Sequence, residues 1–237
     1  MVLRGVASTG SLWSVRRRTV VVGALLLFLL AAVLVVHADR AGANGDKCDR
    51  FAADSDARAA AVTGTGAPVV VIGDSWSAGL GLDRIASSWP SRLPGTVHVA
   101  AFSGSGFSEQ AGPCRDVSFA DRAPAAVRGG TDLVVVEGGL NDYDVANPDI
   151  RAGFRRLMAE LRGQRVVVVG PASAPSRASE VPRVDALLTR LTTAYGVGYV
   201  RTSGLELPYL ADRLHLTAAG HEQFGDFVAG EIAALTP

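Results

Sequence analysis

Lysine, cysteine and histidine are scarce in this sequence. Lys47 is the only lysine, and 23 basic residues balance 23 acidic ones over 237 residues, so the formal net charge is zero. The four histidines are scattered, and no loop of the type Gly-x4-Gly-Lys-Ser/Thr occurs. Because nucleic-acid surfaces are strongly basic and that loop is the usual cradle for phosphates, we predict neither a nucleic-acid partner nor nucleotide hydrolysis.

The one long apolar run lies near the N-terminus, behind a basic cluster. Residues 20–36 are 17 residues without a charged or polar side chain, and three arginines at 16–18 lie just before them. A signal-peptide core has about 7–15 apolar residues and a membrane span about 17–25, and basic flanks stay in the cytoplasm. We therefore predict a cytoplasmic basic N-terminus over residues 1–18 and a transmembrane signal anchor over 19–38, which holds the protein in the membrane.

A cleaved signal peptide is the alternative, because small residues precede possible cleavage sites after Ala38 and Ala43. The protein would then be secreted, and in both cases the folded part lies outside the cytoplasm, where disulfides persist. The chain has two cysteines, Cys48 and Cys114. An even count on the exported side indicates one disulfide between them, with two buried free thiols as the alternative.

Composition changes mark the domain boundaries after the apolar run. Residues 39–67 are polar, then Ala-rich and finally turn-rich, which predicts a linker that contains a short helix over 49–62. The folded domain is predicted to occupy residues 68–237.

Five short apolar runs alternate with helical patterns across this domain. The predicted strands are residues 69–73, 97–101, 133–137, 166–169 and 197–201. The predicted helices are residues 76–88, 117–128, 147–162, 182–195 and 218–235. Because the strands are continuous apolar runs and not alternating ones, they are buried on both faces. The pattern predicts a three-layer α/β/α domain with a parallel sheet between two layers of helices.

Ser75 follows the first strand at a strand-to-helix turn. Gly73 ends the apolar run because glycine suits a tight turn, and the amides at the start of a helix favour negative charge. A nucleophilic serine fits this position, and a helix cap formed by Asp74 or Ser75 is the alternative. Ligands of parallel sheets bind at the carboxyl ends of strands. Two glycine-containing stretches, residues 103–106 and 138–142, follow the next two strands at that edge.

A nucleophilic serine needs a base and a group that orients the base. His215 lies just before the last helix, and Asp212 is three residues earlier, within hydrogen-bond reach in a turn. His37 lies in the N-terminal segment, His98 lies within a strand, and His221 is predicted on the solvated face of the last helix. A surface turn is one alternative for the Asp-x-x-His sequence. A metal site of Asp212, His215 and His221 is the other, and the sequence supplies no further ligand cluster for it.

Taken in order, these residues resemble the SGNH (GDSL-type) hydrolase family of serine esterases. Gly73, Asp74 and Ser75 match the first block, although Trp76 stands where Leu or Ile is commoner. Gly104 matches the glycine of the second block. The third block, Gly-x-Asn-Asp, is matched by residues 139–142, and the last block, Asp-x-x-His, by residues 212–215. Each motif is weak by itself, but four in the right order at strand ends and loops are a specific signal.

The resemblance covers about residues 68–235 and implies a flavodoxin-like sheet of five parallel strands. It also implies a role for each matched residue. Ser75 would be the nucleophile, His215 the general base and later the acid, and Asp212 the group that orients His215.

The backbone amides of Ser75 and Gly104 and the side-chain amide of Asn141 would form the oxyanion hole. The implied activity is hydrolysis of carboxylic esters, without a metal or an organic cofactor, on small-molecule, lipid or glycan substrates. A carbohydrate O-deacetylase of the cell envelope and a non-catalytic binding module on the same fold are the alternatives. Residues near the motifs that could wall an acyl site, or pack in the core, are Trp76, Phe102, Phe107, Leu140 and Tyr143.

Overall fold

The computed structural model describes residues 10–235, with side chains described over 28–36 and 42–235. The chain divides into two compact units, Met1–Asp46 and Lys47–Pro237. The first helix, α1, spans Gly10–Ala60.

The first unit contains the predicted membrane span. The side chains of residues 28–36 are exposed. Within the part of the chain that is described, we find no helix with both the length and the hydrophobicity needed to cross a membrane. Most side chains of the predicted span over 19–38 lie outside the described residues, and so do all those of the predicted cytoplasmic segment 1–18. Both assignments stay predictions.

Residues 39–67, predicted as a linker that contains a short helix over 49–62, are helical through Ala60, and from Lys47 onward they belong to the second unit. Arg58 is fully buried there, and its Nε donates to Ser88 Oγ at 3.0 Å. The linker prediction is therefore wrong for the part that follows Lys47. The physical reason is that this polar, Ala-rich helix is held by hydrogen bonds to distant residues, which local hydropathy does not reveal.

A disulfide fastens α1 to the loop that follows the second strand. Cys48 and Cys114 are bonded, with a Sγ–Sγ distance of 2.02 Å. One turn after Cys48, the ring of Phe51 packs edge-to-face on Phe102, with ring centroids 6.2 Å apart. Helix α1 is thus joined to the loop after the second strand by a covalent bond and by aromatic packing.

Five parallel strands form one sheet in the second unit, within the residues that the structure describes, in the order β2-β1-β3-β4-β5. Their bounds are Pro68–Gly73 for β1, Thr96–Ala101 for β2, Leu133–Glu137 for β3, Val166–Val169 for β4 and Gly198–Val200 for β5. This is the flavodoxin-like order, so the predicted sheet is confirmed. The chain adds β2 on one side of β1 and then β3, β4 and β5 on the other side, so the strand order switches between β1 and β3. In α/β sheets, ligands bind at the carboxyl ends of the strands at such a switch point.

Helices cover both faces of the sheet. The helices after the first are α2 (Ser75–Ala78), α3 (Phe119–Ala126), α4 (Asn147–Glu160), α5 (Val181–Tyr195) and α6 (Ala218–Leu235). Val70 and Ile72 of β1 point to the core formed with α3, α4 and α5, whereas Val69 and Val71 point to the core formed with α6. Alternate side chains of a strand point to opposite faces, so the apolar run of β1 fills both cores.

The predicted helix over residues 76–88 is shorter than expected. Helix α2 ends after one turn because Gly79 adopts a left-handed conformation, with φ of 79°. A Cβ at Gly79 would lie 2.9 Å from the carbonyl oxygen of Ile85, so only glycine fits this close approach. The 3₁₀ helix Ile85–Ser87 lies near the end of the predicted helix, and a second one, Trp89–Arg92, follows it.

The last helix differs from its prediction at His221, which is buried and not solvated. The 3₁₀ helix Trp89–Arg92 covers this face of α6, and the backbone N–H of Trp89 donates to His221 Nδ1 at 3.3 Å. Close approach is possible because Gly225 has no side chain, and a Cβ there would lie 2.7 Å from Trp89 O. Burial, with a smaller electrostatic contribution from His215, lowers the pKa of His221 to about 4.

Protonation of His221 opposes folding, because its pKa is lower in the folded protein than the model-peptide value of 6.5. The stability that neutral His221 contributes is fully present above a pH of about 6.5 and is lost as the pH falls towards 4. We expect a loss of about 2 kcal/mol between about pH 7 and about pH 4.5 from this residue. His221→Gln cannot be protonated but can still accept the N–H of Trp89, so it should not show this loss.

Chemical denaturation of both proteins at the two pH values measures the effect. The buried carboxyl groups of Asp74 and Asp142, whose pKa values are raised to about 6, act in the opposite direction but equally in both proteins. The difference between the two unfolding free energies therefore isolates His221. Parallel decreases in the two proteins would contradict the assignment.

Candidate active site

The turn after β1 presents Ser75 at the carboxyl edge of the sheet. Asp74 caps α2, because its Oδ1 accepts the backbone N–H of Trp76 at 2.9 Å. Ser75 is the first residue of this helix and is 6% exposed. Asp74 therefore forms the cap that was one of the two alternatives, which leaves the hydroxyl of Ser75 available. Since α2 has only four residues, its dipole adds little to the environment of Ser75.

His215 and Asp212 lie in line with this hydroxyl. His215 Nε2 is 3.1 Å from Ser75 Oγ, and His215 Nδ1 is 2.6 Å from Asp212 Oδ2. The second carboxylate oxygen, Asp212 Oδ1, accepts the backbone N–H groups of Leu214 and His215, both at 3.0 Å. Partial burial favours a higher pKa for Asp212, but the hydrogen bonds from His215 and Leu214 outweigh it and lower the pKa to about 2. Asp212 is thus a carboxylate at neutral pH.

The loop that carries His215 is fastened to the neighbourhood of Ser75. Trp76 Nε1 donates to the carbonyl oxygen of Leu214 at 3.1 Å. On the other side, the N–H of Leu210 donates to the carbonyl oxygen of His215 at 2.7 Å. The residue after Ser75 and the residue before His215 are therefore in direct contact, which explains how residues 140 positions apart keep hydrogen-bond distance.

The loop after β2, which contains Gly104, lies beside the Ser75 turn. The N–H of Phe102 donates to the carbonyl oxygen of Gly73 at 3.1 Å. Gly104 has φ of 79°, a conformation that favours glycine. Its carbonyl oxygen would lie 2.3 Å from a Cβ at Gly112, so the two glycines allow a tight fold of this loop. The structure thus brings the second-block glycine to the same edge as Ser75.

Asn141 is held from both ends of its side-chain amide. Its Nδ2 donates to Ser105 O at 2.8 Å and to Asp74 Oδ2 at 3.2 Å, and its Oδ1 accepts from Arg177 Nη1 at 2.9 Å. Both amide hydrogens are therefore in use in this state. A role as oxyanion donor requires that the longer bond, to Asp74, is exchanged for a bond to the substrate.

Three carboxyl groups are buried near these residues, those of Asp74, Glu137 and Asp142. Burial raises the pKa of Asp74 to about 6, although the N–H of Trp76 opposes the rise, and burial raises the pKa of Asp142 to about 6. Burial also raises the pKa of Glu137 well above its ordinary value, and Asp74 adds to the rise. These groups accept hydrogen bonds from the loops around them. Asp142, for instance, accepts the N–H groups of Phe107 and Ser108 at 3.0 Å and 2.9 Å.

Two of the residues at this site were not singled out from the sequence. Glu137 ends β3 and accepts from Ser77 Oγ at 2.7 Å, which braces the helix that Ser75 begins. A lone acid that closes an apolar strand was the signal available for it. Arg177 lies in the loop after β4, where a Ser/Pro/Ala-rich sequence gives no signal of its contact with Asn141.

The residues proposed to wall an acyl site are mostly buried. Those that are buried are Trp76, Phe102, Phe107 and Leu140. Tyr143 is half-buried and lines an open cavity of about 830 Å³ between the loops after β3 and β4, together with Asn147, Arg177 and Glu180. Several polar and charged side chains therefore line this cavity, and one of them, Arg177, contacts Asn141.

A metal centre is not indicated by the described side chains, because they contain no group of three or more His, Cys, Asp or Glu residues that could hold an ion. His221, proposed as one ligand of a metal site with Asp212 and His215, uses its Nδ1 to accept a backbone N–H.

Structural comparison finds the same fold in several esterases. Est24, a carbohydrate acetylesterase from Sinorhizobium meliloti, is 18% identical, with a TM-score of 0.60 over 71% of this chain and 99% of that one. An aryl esterase from M. smegmatis is 16% identical, with a TM-score of 0.59 over 72% and 100%. A family two carbohydrate esterase from Clostridium thermocellum, solved with cellohexaose, is 16% identical, with a TM-score of 0.60 over 73% and 65%.

No curated protein sequence matches the chain. The profile of one sequence family does, over residues 71–223, from the strand before Ser75 to the helix after His215. Because this match covers more than half of the chain, the chain belongs to the GDSL-like lipase/acylhydrolase family and is a serine hydrolase that acts on ester bonds.

Proposed function

We propose that this esterase works through a Ser75–His215–Asp212 triad on esters with short acyl groups. The observation that supports the triad is the chain of two contacts, 3.1 Å from Ser75 Oγ to His215 Nε2 and 2.6 Å from His215 Nδ1 to Asp212 Oδ2. These distances fit a nucleophile, a base and a group that orients the base.

The proposed reaction has two halves. Ser75 Oγ attacks the ester carbonyl carbon while His215 Nε2 takes the hydroxyl proton, and the carbonyl oxygen becomes an oxyanion. The tetrahedral intermediate then collapses, the C–O bond to the alcohol breaks, and the imidazolium of His215 protonates the leaving alcohol. Water repeats the sequence on the acyl-enzyme and releases the acid. Ionised Asp212 stabilises the imidazolium in both halves.

Substitution of each triad residue by alanine tests the mechanism. We expect Ser75→Ala and His215→Ala to lower kcat by about 10⁴-fold or more, and Asp212→Ala by somewhat less. The double variant Ser75→Ala/His215→Ala should lose little more than either single variant, since the residues act as a unit. His98→Ala, which changes an exposed residue of β2, is the control and should keep normal turnover.

Turnover of p-nitrophenyl acetate by folded protein is the measurement. An active His215→Ala variant would show that another group is the base.

Carbohydrate O-deacetylation is a second candidate function, and the cavity favours it. An open cavity of about 830 Å³ is lined by several polar and charged side chains, among them Arg177, which contacts Asn141. Within the described residues, the side chains proposed to wall an apolar acyl groove are mostly buried. A polar alcohol such as a sugar fits such a cavity better than a long acyl chain does. Two of the similar folds belong to carbohydrate esterases, which is consistent with this candidate.

A panel of esters separates the short-chain and long-chain alternatives. We expect kcat/KM on p-nitrophenyl esters to fall by about 10-fold or more from acetate to octanoate, because most of the apolar side chains near the motifs are buried and cannot bind the chain. Acetylated xylooligosaccharides assayed for released acetate test the glycan candidate, and Ser75→Ala is the control for background hydrolysis. A rate that rises with chain length would contradict the short-acyl proposal.

We also propose that the hydrolase domain works outside the cytoplasm, either held by a signal anchor or released after cleavage. The basic cluster before an apolar run supports this location, and so does the Cys48–Cys114 disulfide, a bond that is rare in the cytoplasm.

Protease added to intact cells should degrade the domain, and alkylation before lysis should find the two cysteine-containing peptides bridged. A cytoplasmic marker protein serves as the control for cell integrity. Protection of the domain, with both thiols alkylated, would contradict this location.

A further inference from the structure

The side chain of Arg177 connects the loop after β4 to the amide of Asn141. Arg177 Nη1 donates to the carbonyl oxygen of Leu140 at 2.6 Å and to Asn141 Oδ1 at 2.9 Å. The guanidinium also lies over the ring of Tyr143, 4.4 Å from its centroid. Three residues of the loop after β3, Leu140, Asn141 and Tyr143, are therefore in contact with one cation.

The backbone around Arg177 is fixed in its turn. The N–H of Arg177 donates to Ala174 O at 2.8 Å, and its carbonyl oxygen accepts the N–H of Glu180 at 3.0 Å. The neighbouring residue, Ser176, donates its N–H to the carbonyl oxygen of Arg213 at 3.1 Å. Arg213 lies between Asp212 and His215, so this short segment contacts both the loop of the base and the loop of Asn141.

We propose that Arg177 is a positioning residue of the oxyanion site, which fixes and polarises the side-chain amide of Asn141. This inference rests on the proposed function and on the oxyanion role that the family resemblance implies for Asn141. The hydrogen bond from Arg177 fixes which end of the Asn141 amide faces it. Arg177 offers only donors, so only the oxygen of the Asn141 amide can be its partner, and Nδ2 is turned towards Asp74 and Ser105.

Polarisation follows from the same contact. A hydrogen bond from a cation to the amide oxygen draws electron density from the nitrogen, which makes the N–H groups stronger donors. The gain matters most when a negative charge develops opposite these N–H groups, which happens in the transition state and not in the bound ester. Arg177 should therefore affect kcat more than KM.

A direct contact between Arg177 and the substrate is the competing explanation, because Arg177 also lines the open cavity. The two explanations differ in their dependence on Asn141. If Arg177 acts through Asn141, its substitution has no effect once that amide is absent. If it binds the substrate directly, its effect persists without Asn141 and appears in KM.

The test is a double-mutant cycle on the full chain with p-nitrophenyl acetate as the substrate. The variants are Arg177→Gln, Asn141→Ala and the double variant, with Arg177→Lys as the conservative replacement. Arg151→Gln, which removes an equal charge from the exposed face of α4, is the control. Turnover is divided by the number of Ser75 sites that an organophosphate labels, so that unfolded protein does not count.

We expect Arg177→Gln to lower kcat by about 10-fold with KM changed less than about twofold, and Asn141→Ala to lower kcat by about 10²–10³-fold. The double variant should lose less than about twofold beyond Asn141→Ala. Arg177→Lys should recover most of the loss, because an ammonium can still donate to Asn141 Oδ1. Arg151→Gln should behave as wild type.

The inference is overturned if Arg177→Gln keeps normal kcat, if its loss appears in KM, or if the loss is equally large in the Asn141→Ala background. A wild-type protein that hydrolyses no ester would overturn the proposed function itself, and this inference with it. The two failures are thus distinguished by the wild-type rate.

Discussion

The parallel pairing of β1 with β2 on one side and with β3 on the other is the constraint on which the whole site depends. Each of these strands ends at the same edge, so the loops after them meet whatever their separation in sequence. Ser75, Gly104 and Asn141 come from these three loops. The backbone bond between Phe102 and Gly73 and the side-chain bond between Asn141 and Asp74 then set the distances within the edge.

Three carboxyl groups are buried beside the site and are not visible at the surface. Asp74, Glu137 and Asp142 are buried close to one another, and each is surrounded by N–H or O–H donors from the loops. Such carboxyl groups cost free energy when they ionise in a dry interior. Their value to the protein is geometric, because a satisfied polar network defines a single arrangement of the loops that it joins.

The sequence predicts what depends on local pattern. The apolar runs predict the sheet, and the three-residue spacing of Asp212 and His215 predicts their contact because a turn closes it. What it cannot predict are contacts made by distant parts of the chain. His221 has helical neighbours of mixed polarity, and its burial accompanies the packing of Trp89, more than 100 positions away in sequence, against α6 at Gly225. Arg177 and Arg58 likewise look like surface residues until their partners, more than 25 positions away, are known.

The disulfide between Cys48 and Cys114 changes what counts as the smallest independent piece of this enzyme. The family match begins at residue 71, yet the loop that carries Gly104 is bonded to a helix that ends before that point. A protein cut at β1 would keep every motif but would lose the covalent partner of Cys114, the ring that packs on Phe102 and the buried guanidinium of Arg58. The smallest piece that keeps these contacts to the catalytic loops therefore starts at or before Cys48.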